Sequence, residues 1–404
     1  MAIKGNAVIG QSGGPTSVIN QSLVGVIQEV RKSSHIGKLL GARHGVRGII
    51  DHDFIDLGQA SDELLHRIAQ TPAAALGSTR DKPDQAYCEK IFAAFKEKDV
   101  KYFFYIGGND SADTARIVYE LSKKEGYDLK VFHVPKTIDN DLRVHDHTPG
   151  FGSAGKFVAA AVMGDNFDNK SLPGIKVDVI MGRNAGFLTA ASALAKQSET
   201  DGPHLIYCPE VPVTEEKFLA DVDAIFTKTK RCLIAVSEGI VLPDGTTWAQ
   251  KLAADIERDS HGNIQLANSG LGDYLGDLIQ TRLKPAGGKS LRVRSDTFGY
   301  LQRSFPGFVS ETDATEARMV GQMAVKYSAD EKNVEGSIAM RRQPGSQYKV
   351  ETFLTPLSTV ARETKHMPAE FINQQGNYVT QAFLDYAKPL IGALPVVGSF
   401  DELR

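Results

Sequence analysis

Cysteine is scarce: Cys88, Cys208 and Cys232 lie far apart in 404 residues, with no CxxC spacing. That argues against both a disulfide framework and a zinc site. An excess of one charge is lacking too, because 46 lysines and arginines face 49 aspartates and glutamates, a formal net charge of −3. So small a balance gives no general attraction for nucleic acid or an acidic membrane, and any anion site must be local. No apolar run approaches about 18 residues, and no hydrophobic segment with a cleavage site opens the chain, so neither a membrane span nor a secretory leader is expected. Internal repeats and low-complexity segments are absent as well. What is present, 42% hydrophobic and 24% charged residues, is the composition of a soluble globular protein. A cytoplasmic enzyme or binding protein is expected, long enough for two domains with separate cores.

Short apolar runs alternate with helical patterns, which predicts an α/β fold with mostly parallel sheets flanked by helices. The candidate strands are Ala7–Ile9, Lys38–Ala42, Tyr102–Ile106, Leu129–Val134, Val177–Met181, Leu205–Tyr207 and Cys232–Val236. Most end in a polar or glycine-bearing loop, and in open α/β sheets ligands bind at the carboxyl ends of strands. Thr148-Pro149-Gly150-Phe151-Gly152 punctuates the chain as a domain crossing. Asp313 and Glu316 read as a helix-start capping pair. Near the end, Val379, Ala382, Phe383, Tyr386 and Leu390 predict an amphipathic helix stopped around Pro389.

Two loops carry chemistry. Gly107-Gly108-Asn109-Asp110-Ser111 follows the apolar run Tyr102–Ile106 and precedes a helix expected from about Ala112. A glycine pair there lets backbone N–H groups approach a phosphate, with the positive end of the helix pointing at the same spot. Asp110 is the anomaly, a carboxylate in a loop otherwise built for anions. The second loop, Lys136-Thr137-Ile138-Asp139-Asn140-Asp141, puts two carboxylates two residues apart, on one side of an extended backbone. Either this is turn chemistry, or one carboxylate takes a proton while the other orients it or serves a metal. The Gly10-Gln11-Ser12-Gly13-Gly14 loop lacks the GK[ST] ending of a P-loop. His145-Asp146-His147 offers no well-spaced third metal ligand and reads as a loop pair.

These pieces, in this order, make the chain similar to the phosphofructokinases, specifically their pyrophosphate-dependent branch. The resemblance is carried by residues 10–14, Gly77-Ser78-Thr79-Arg80, the loop at 107–111 and Pro135–Asp141. It continues with Met181-Gly182-Arg183, Ser237-Glu238-Gly239 and Gly299-Tyr300-Leu301-Gln302-Arg303. It implies two Rossmann-like domains: a donor domain at 1–150 plus about 303–350, and a sugar phosphate domain at 151–302 plus about 351–404 with the C-terminal helices. The implied reaction is reversible, magnesium-assisted phosphoryl transfer from pyrophosphate to the 1-hydroxyl of fructose 6-phosphate, giving fructose 1,6-bisphosphate. Asp139 is then the general base, with Asp110, Lys136 and Arg183 completing the catalytic set. Thr137 and Asp141 hold the acceptor hydroxyl region, and Met181, Gly182 and Arg183 line the sugar phosphate site. Glu238 would bond sugar hydroxyls, Tyr300 and Arg303 the 6-phosphate, and Arg294 would reach that phosphate across a subunit interface. Gly13, Gly14, Gly108, Arg80 and Lys82 would meet pyrophosphate.

Donor choice rests on Asp110 and Lys136, where ATP-using members of the family usually have glycine. A carboxylate about 4 Å from a nucleotide phosphate is repelled by roughly 4 kcal/mol at an effective dielectric near 20. Lys136 supplies a cation in place of nucleoside contacts. Asn109 stands where the family pattern has an aspartate associated with magnesium and is the implied metal ligand; an amide oxygen can ligate but brings no charge, which leaves more of the metal to Asp110 or Asp139. The resemblance also implies a homodimer or homotetramer with no nucleic-acid or membrane partner. Two other readings stay open: an ATP-dependent kinase of the same fold, and a non-catalytic phosphosugar sensor.

Overall fold

A computed structural model of the chain describes residues 3–252, 270–283, 290–398 and 400. The described residues divide into two compact units, the first holding residues 3–154 and Arg303–Met367, the second residues 155–252, 270–283, 290–302, 368–398 and 400. Among the described residues the first unit begins with β1 (Gly5–Gln11), β2 (Ile36–Ala42), β3 (Phe54–Asp56), β4 (Val100–Gly107) and β5 (Lys130–Pro135). The second unit adds β6 (Ile175–Ile180), β7 (Leu205–Tyr207), β8 (Cys232–Ser237) and β9 (Val293–Thr297). The chain then returns to the first unit for β10 (Glu335–Arg342) and β11 (Val350–Thr355).

In the first unit seven strands run in the order β11-β10-β5-β4-β1-β2-β3. The central pairs are parallel, and the hairpin β10–β11 and the pair β2–β3 are antiparallel. Alternate residues of each strand feed opposite faces. Tyr102, Phe104 and Ile106 pack with Leu23 and Ile27 of the helix Ile19–Val30 and with Val320 of Glu311–Ser328. Phe103 and Tyr105 pack on the other side with Ile91 and Phe95 of Gln85–Glu97 and Val118 of Asn109–Lys124. Burial on both faces explains why the parallel strands read as unbroken apolar runs. The four-stranded parallel sheet of the second unit, β7-β8-β6-β9, packs Val177, Val179 and Ile234 with Phe218, Leu275 and Ile279 of its helices.

The seven strands read from sequence are present within a residue or two of the expected bounds. Four expectations change. The helix after β4 starts at Asn109 rather than near Ala112, with Gly108 at its N-cap, so Asp110 lies in its first turn. The helix Glu311–Ser328 is capped by Ser310, not by an Asp313–Glu316 pair. The last helix runs Gln381–Ile391 with Pro389 inside it. Residues 351–367, expected with the sugar phosphate domain, belong to the first unit, because β11 pairs with β10. Among the described residues no helix is long and apolar enough to cross a membrane.

Candidate active site

Register aligns the loops of the first unit. Gln11 pairs with Ile106 and Gly107 with Pro135, so the turns after β1, β4 and β5 leave the sheet side by side. Gly107 must be glycine, since a Cβ there would lie 2.0 Å from Ser111 Oγ. Its carbonyl accepts from Lys136 N–H at 2.9 Å and contacts the buried His133 ring at Nε2, 2.8 Å away. His133 Nδ1 lies 2.8 Å from Ser337 Oγ, and burial lowers its pKa to about 4, so the ring is neutral.

Lys136 is 3% exposed and donates to the Gly14 carbonyl at 2.7 Å. Burial, then Arg303 and Arg80, bring its ammonium down to about 7 against the pull of Asp139 and Asp141. The guanidinium of Arg303 lies against Gly14, so a Cβ on Gly14 would meet it at 3.2 Å. Arg303, expected beside Tyr300 on the sugar phosphate, thus sits within the first unit among the loops that carry Lys136. Gly13 has φ +76° and its N–H already donates to Thr79 O at 2.9 Å. That N–H does not point to a ligand, contrary to expectation. Lys82 pairs with Asp110 at 3.4 Å, both more than half exposed. Asn109 Oδ1 accepts from the Asp110 N–H at 2.8 Å, an exposed local contact within the first turn of the helix.

Asp139 and Asp141 interact as expected, by a different geometry. Asn140 between them is buried in a left-handed conformation, φ +59°, so the segment is a turn rather than an extended strand. Asp139 N–H donates to Thr137 Oγ1 at 3.1 Å, and Thr137 also bonds the Asp141 carboxylate. Burial, then repulsion from Asp139, hold Asp141 above the usual carboxylate range. The turn is anchored by the bridge Thr137–Gly150, and Gly150 N–H in turn donates to Asp313 at 2.8 Å.

The second unit gathers the remaining candidates in the same way. Ile180 pairs with Ser237 and Val179 with Thr297, aligning the turns after β6, β8 and β9. Ser237 Oγ donates to Gly182 O at 2.5 Å, and a Cβ on Gly239 would lie 2.0 Å from Arg183 O. Gln302 accepts from Met181 N–H at 3.3 Å and donates to Gly299 O at 2.8 Å, tying the Tyr300 turn to the end of β6. Glu238 is buried, Tyr300 is about half exposed, and Arg294 is exposed on the edge strand β9. The buried Nε of Arg183 has no hydrogen-bond partner, the state of a cation built to receive an anion.

A family profile, Phosphofructokinase, matches residues 6–328. The chain belongs to the phosphofructokinase family. It is 52% identical to pyrophosphate–fructose 6-phosphate 1-phosphotransferase of Rhodospirillum rubrum, over 96% of this chain and 95% of that one. It is 38% identical to the protein of the same name from Halomonas elongata, over 96% and 91%. Among solved structures, pyrophosphate-dependent phosphofructokinase from Marinobacter aquaeolei superposes with a TM-score of 0.84 at 34% identity, covering 99% of this chain and 94% of that one.

Residues that the motifs did not single out hold this phosphofructokinase site in shape. His133 is hidden in an apolar run, and only its oddity in a buried strand signals it. Asp313, which read as a cap of its own helix, instead accepts from Gly150 and Ser153 N–H, both at 2.8 Å, at the start of the helix Phe151–Ser171. His147 is no metal ligand: it lies between Asp146 and Glu316, 2.7 Å from each, and burial opposed by these two carboxylates leaves its pKa raised. Among the described residues one three-carboxylate cluster is close enough for a metal, Asp165, Asp178 and Asp296 in the second unit. Lys176 already pairs with Asp165 and Asp296, so an ammonium stands where a metal would.

Proposed function

We propose that this chain transfers a phosphoryl group reversibly from pyrophosphate to the 1-hydroxyl of fructose 6-phosphate, giving fructose 1,6-bisphosphate and phosphate. The observation that carries the donor choice is Lys136. Its ammonium lies against Gly13 and Gly14, with Arg303 and Arg80 close enough to depress it. A compact, highly charged diphosphate satisfies three cations at once, without needing contacts to a nucleoside. Asp139 is the base for the acceptor hydroxyl, oriented by Thr137 and by Asp141. Phosphoryl transfer asks little more of a carboxylate than to accept a proton late, once the bond to phosphorus is forming.

The resemblance implies magnesium, and the residues fit it. Burial, then repulsion from Asp139, raise the Asp141 carboxyl, and magnesium is commonly held by one or two carboxylates plus substrate phosphates. Asp139 and Asp141 would hold it rather than Asn109, whose oxygen is engaged with Asp110 N–H. When bound, it would neutralise charge on the transferring phosphate. Gly14, Gly108, Arg80, Lys82 and Arg303 are assigned to pyrophosphate, with Gly13 serving the shape of the loop. Met181, Gly182, Arg183, Glu238 and Tyr300 are assigned to the sugar phosphate, Arg183 meeting the transferring group. Arg294, exposed on an edge strand, is assigned to the same phosphate in a neighbouring copy of a cytoplasmic homo-oligomer.

The test is a kinetic matrix of pyrophosphate and ATP against fructose 6-phosphate and sedoheptulose 7-phosphate, with and without magnesium. Turnover with pyrophosphate and fructose 6-phosphate in the presence of magnesium is expected. Ready use of ATP with indifference to pyrophosphate would overturn the donor assignment.

A further inference from the structure

Beyond residue 328, where the family profile ends, the chain stays in the first unit as far as Met367 and lies along its catalytic turn. Thr364 forms an antiparallel bridge with Leu142, and Lys365 N–H donates to Asp141 O at 2.6 Å. The Lys365 ammonium donates to two carbonyls, His145 O at 3.0 Å and Asp146 O at 2.9 Å. One residue thus holds the backbone on both sides of residues 142–144, a stretch that includes Val144 at φ +71°. Glu363 pairs with Arg143 on the outside of the same turn.

The segment grips the other donor loop as well. Val360 and Ala361 are buried in a small cluster with Leu142, which directly follows Asp141, and Ala112, two residues after Asp110. Arg362 donates to Asp113 at 3.1 Å in the helix that begins at Asn109, itself at φ +73°. The turn bearing Asp139 and the turn bearing Asp110 are therefore fastened to one short piece of chain.

We propose that residues 360–365 are a strap that sets the position of the Asp139–Asp141 turn relative to the helix start at Asp110, with Lys365 as its positioning residue. The strap holds the turn through backbone carbonyls, apolar side chains and the pairs Arg362–Asp113 and Glu363–Arg143, and Lys365 donates to carbonyls rather than to substrate, so its failure lowers the rate of the chemical step while substrate binding persists. A misplacement of about 1 Å in a reacting constellation lowers the rate by about 10²-fold. This proposal rests on the catalytic role given above to Asp139.

The experiment compares Lys365→Met and Lys365→Arg with the unaltered full-length protein by steady-state kinetics and by peptide-level hydrogen exchange. Lys365→Met is expected to lower kcat by about 30-fold or more, with both KM values within about threefold. Deuterium uptake over residues 137–142 should rise in the same variant, whichever donor the protein uses. Lys365→Arg, which also offers donors to two carbonyls, should recover most of the rate and the protection. Should methionine at 365 prevent folding, Val360→Ala takes its place under the same readouts. Unchanged kcat and exchange would overturn the strap, as would a loss confined to KM, or one that arginine fails to restore. An unaltered protein inert toward pyrophosphate refutes the donor assignment instead, and the exchange comparison still decides the strap.

Discussion

Replacing Lys136 by methionine should stabilise the empty protein while disabling it. The side chain is 3% exposed, and its ammonium is brought from an ordinary 10.5 to about 7, by burial first and then by Arg303 and Arg80. The unfolded chain keeps its proton up to the ordinary value. Between about pH 7 and 10.5 it therefore binds more protons than the native state, and stability rises with pH across that window. At about 1.36 kcal/mol per pH unit, the penalty of keeping Lys136 native is on the order of 4 kcal/mol at neutral pH and about 1.4 at pH 9.5. Methionine removes that penalty and loses the hydrogen bond to the Gly14 carbonyl, a contribution of about 1 kcal/mol. The net expectation is a gain of about 3 kcal/mol at pH 7 that nearly vanishes by pH 9.5.

Urea unfolding of the empty protein, followed by far-ultraviolet circular dichroism at both pH values, measures this. The single tryptophan, Trp248, belongs to the second unit and would not report on the first. With a slope of about 3 kcal/mol per molar urea, the variant's midpoint should lie about 1 M higher at pH 7. Turnover with pyrophosphate should meanwhile fall by about 10²-fold or more, the scale for losing one preorganised group on developing charge. A variant that is less stable at pH 7, or a gap that does not narrow toward pH 9.5, would refute the buried, underprotonated lysine.

Asp139→Ala should lower kcat by about 10³-fold, within the range of a lost general base, while fructose 6-phosphate binding by calorimetry stays within a few-fold; equal turnover would remove Asp139 from that role. Asp110→Gly alone should improve ATP use only about fivefold, because Asp110 is 58% exposed and repulsion at about 4 Å in water is near 1 kcal/mol. The gain should be larger with Lys136→Gly added, and a double variant still indifferent to ATP would show that other residues exclude the nucleotide. Because burial and Asp139 raise the Asp141 carboxyl, protonation on acidification sets in above the usual carboxylate range. The acid limb of kcat/KM at limiting magnesium should lie correspondingly high, and saturating magnesium should move it to lower pH; a limb that magnesium leaves unmoved is set elsewhere.

The parallel core was legible because strands buried on both faces leave unbroken apolar runs, and β1, β4, β5, β6 and β8 are of that kind. Of the four strands that sequence did not reveal, β10 is an eight-residue interior strand with five buried residues, paired with β5 and β11, and two others are marginal. β9 is an edge strand reading Val293-Arg294-Ser295-Asp296-Thr297, with only Val293 buried, and β3 has three residues, none of them fully buried. Motif residues were legible as a set, and what each backbone group does was not. Gly13 N–H is taken by Thr79 O, a contact 66 residues away that no local pattern contains. Asp139 and Asp141 meet through a left-handed Asn140, where alternation along a strand gives the right pairing for the wrong reason. The strap at 360–365 was silent because its hold on the turn is made largely by backbone groups and small apolar side chains.

The unfavourable features of the first unit point to a ligand by where they gather. A buried lysine near half charge, a buried carboxyl held above its range and a left-handed asparagine all fall within residues 136–141. Costs of this kind persist only where something over-determines them, and they concentrate at functional sites. Asp178 of the second unit is the instructive contrast. It too is fully buried, with neither carboxyl oxygen receiving a hydrogen bond, and burial and Asp165 hold it well above the carboxylate range. There the remedy is internal: Lys176 spans the two neighbouring carboxylates, and a proton on Asp178 settles the third. Lys136 has no such remedy, because its nearest cations oppose it and the carboxylates that favour it also repel each other. An anion carrying several charges, brought in with a divalent cation for the carboxylates, offsets both conflicts together, and pyrophosphate with magnesium is such a pair.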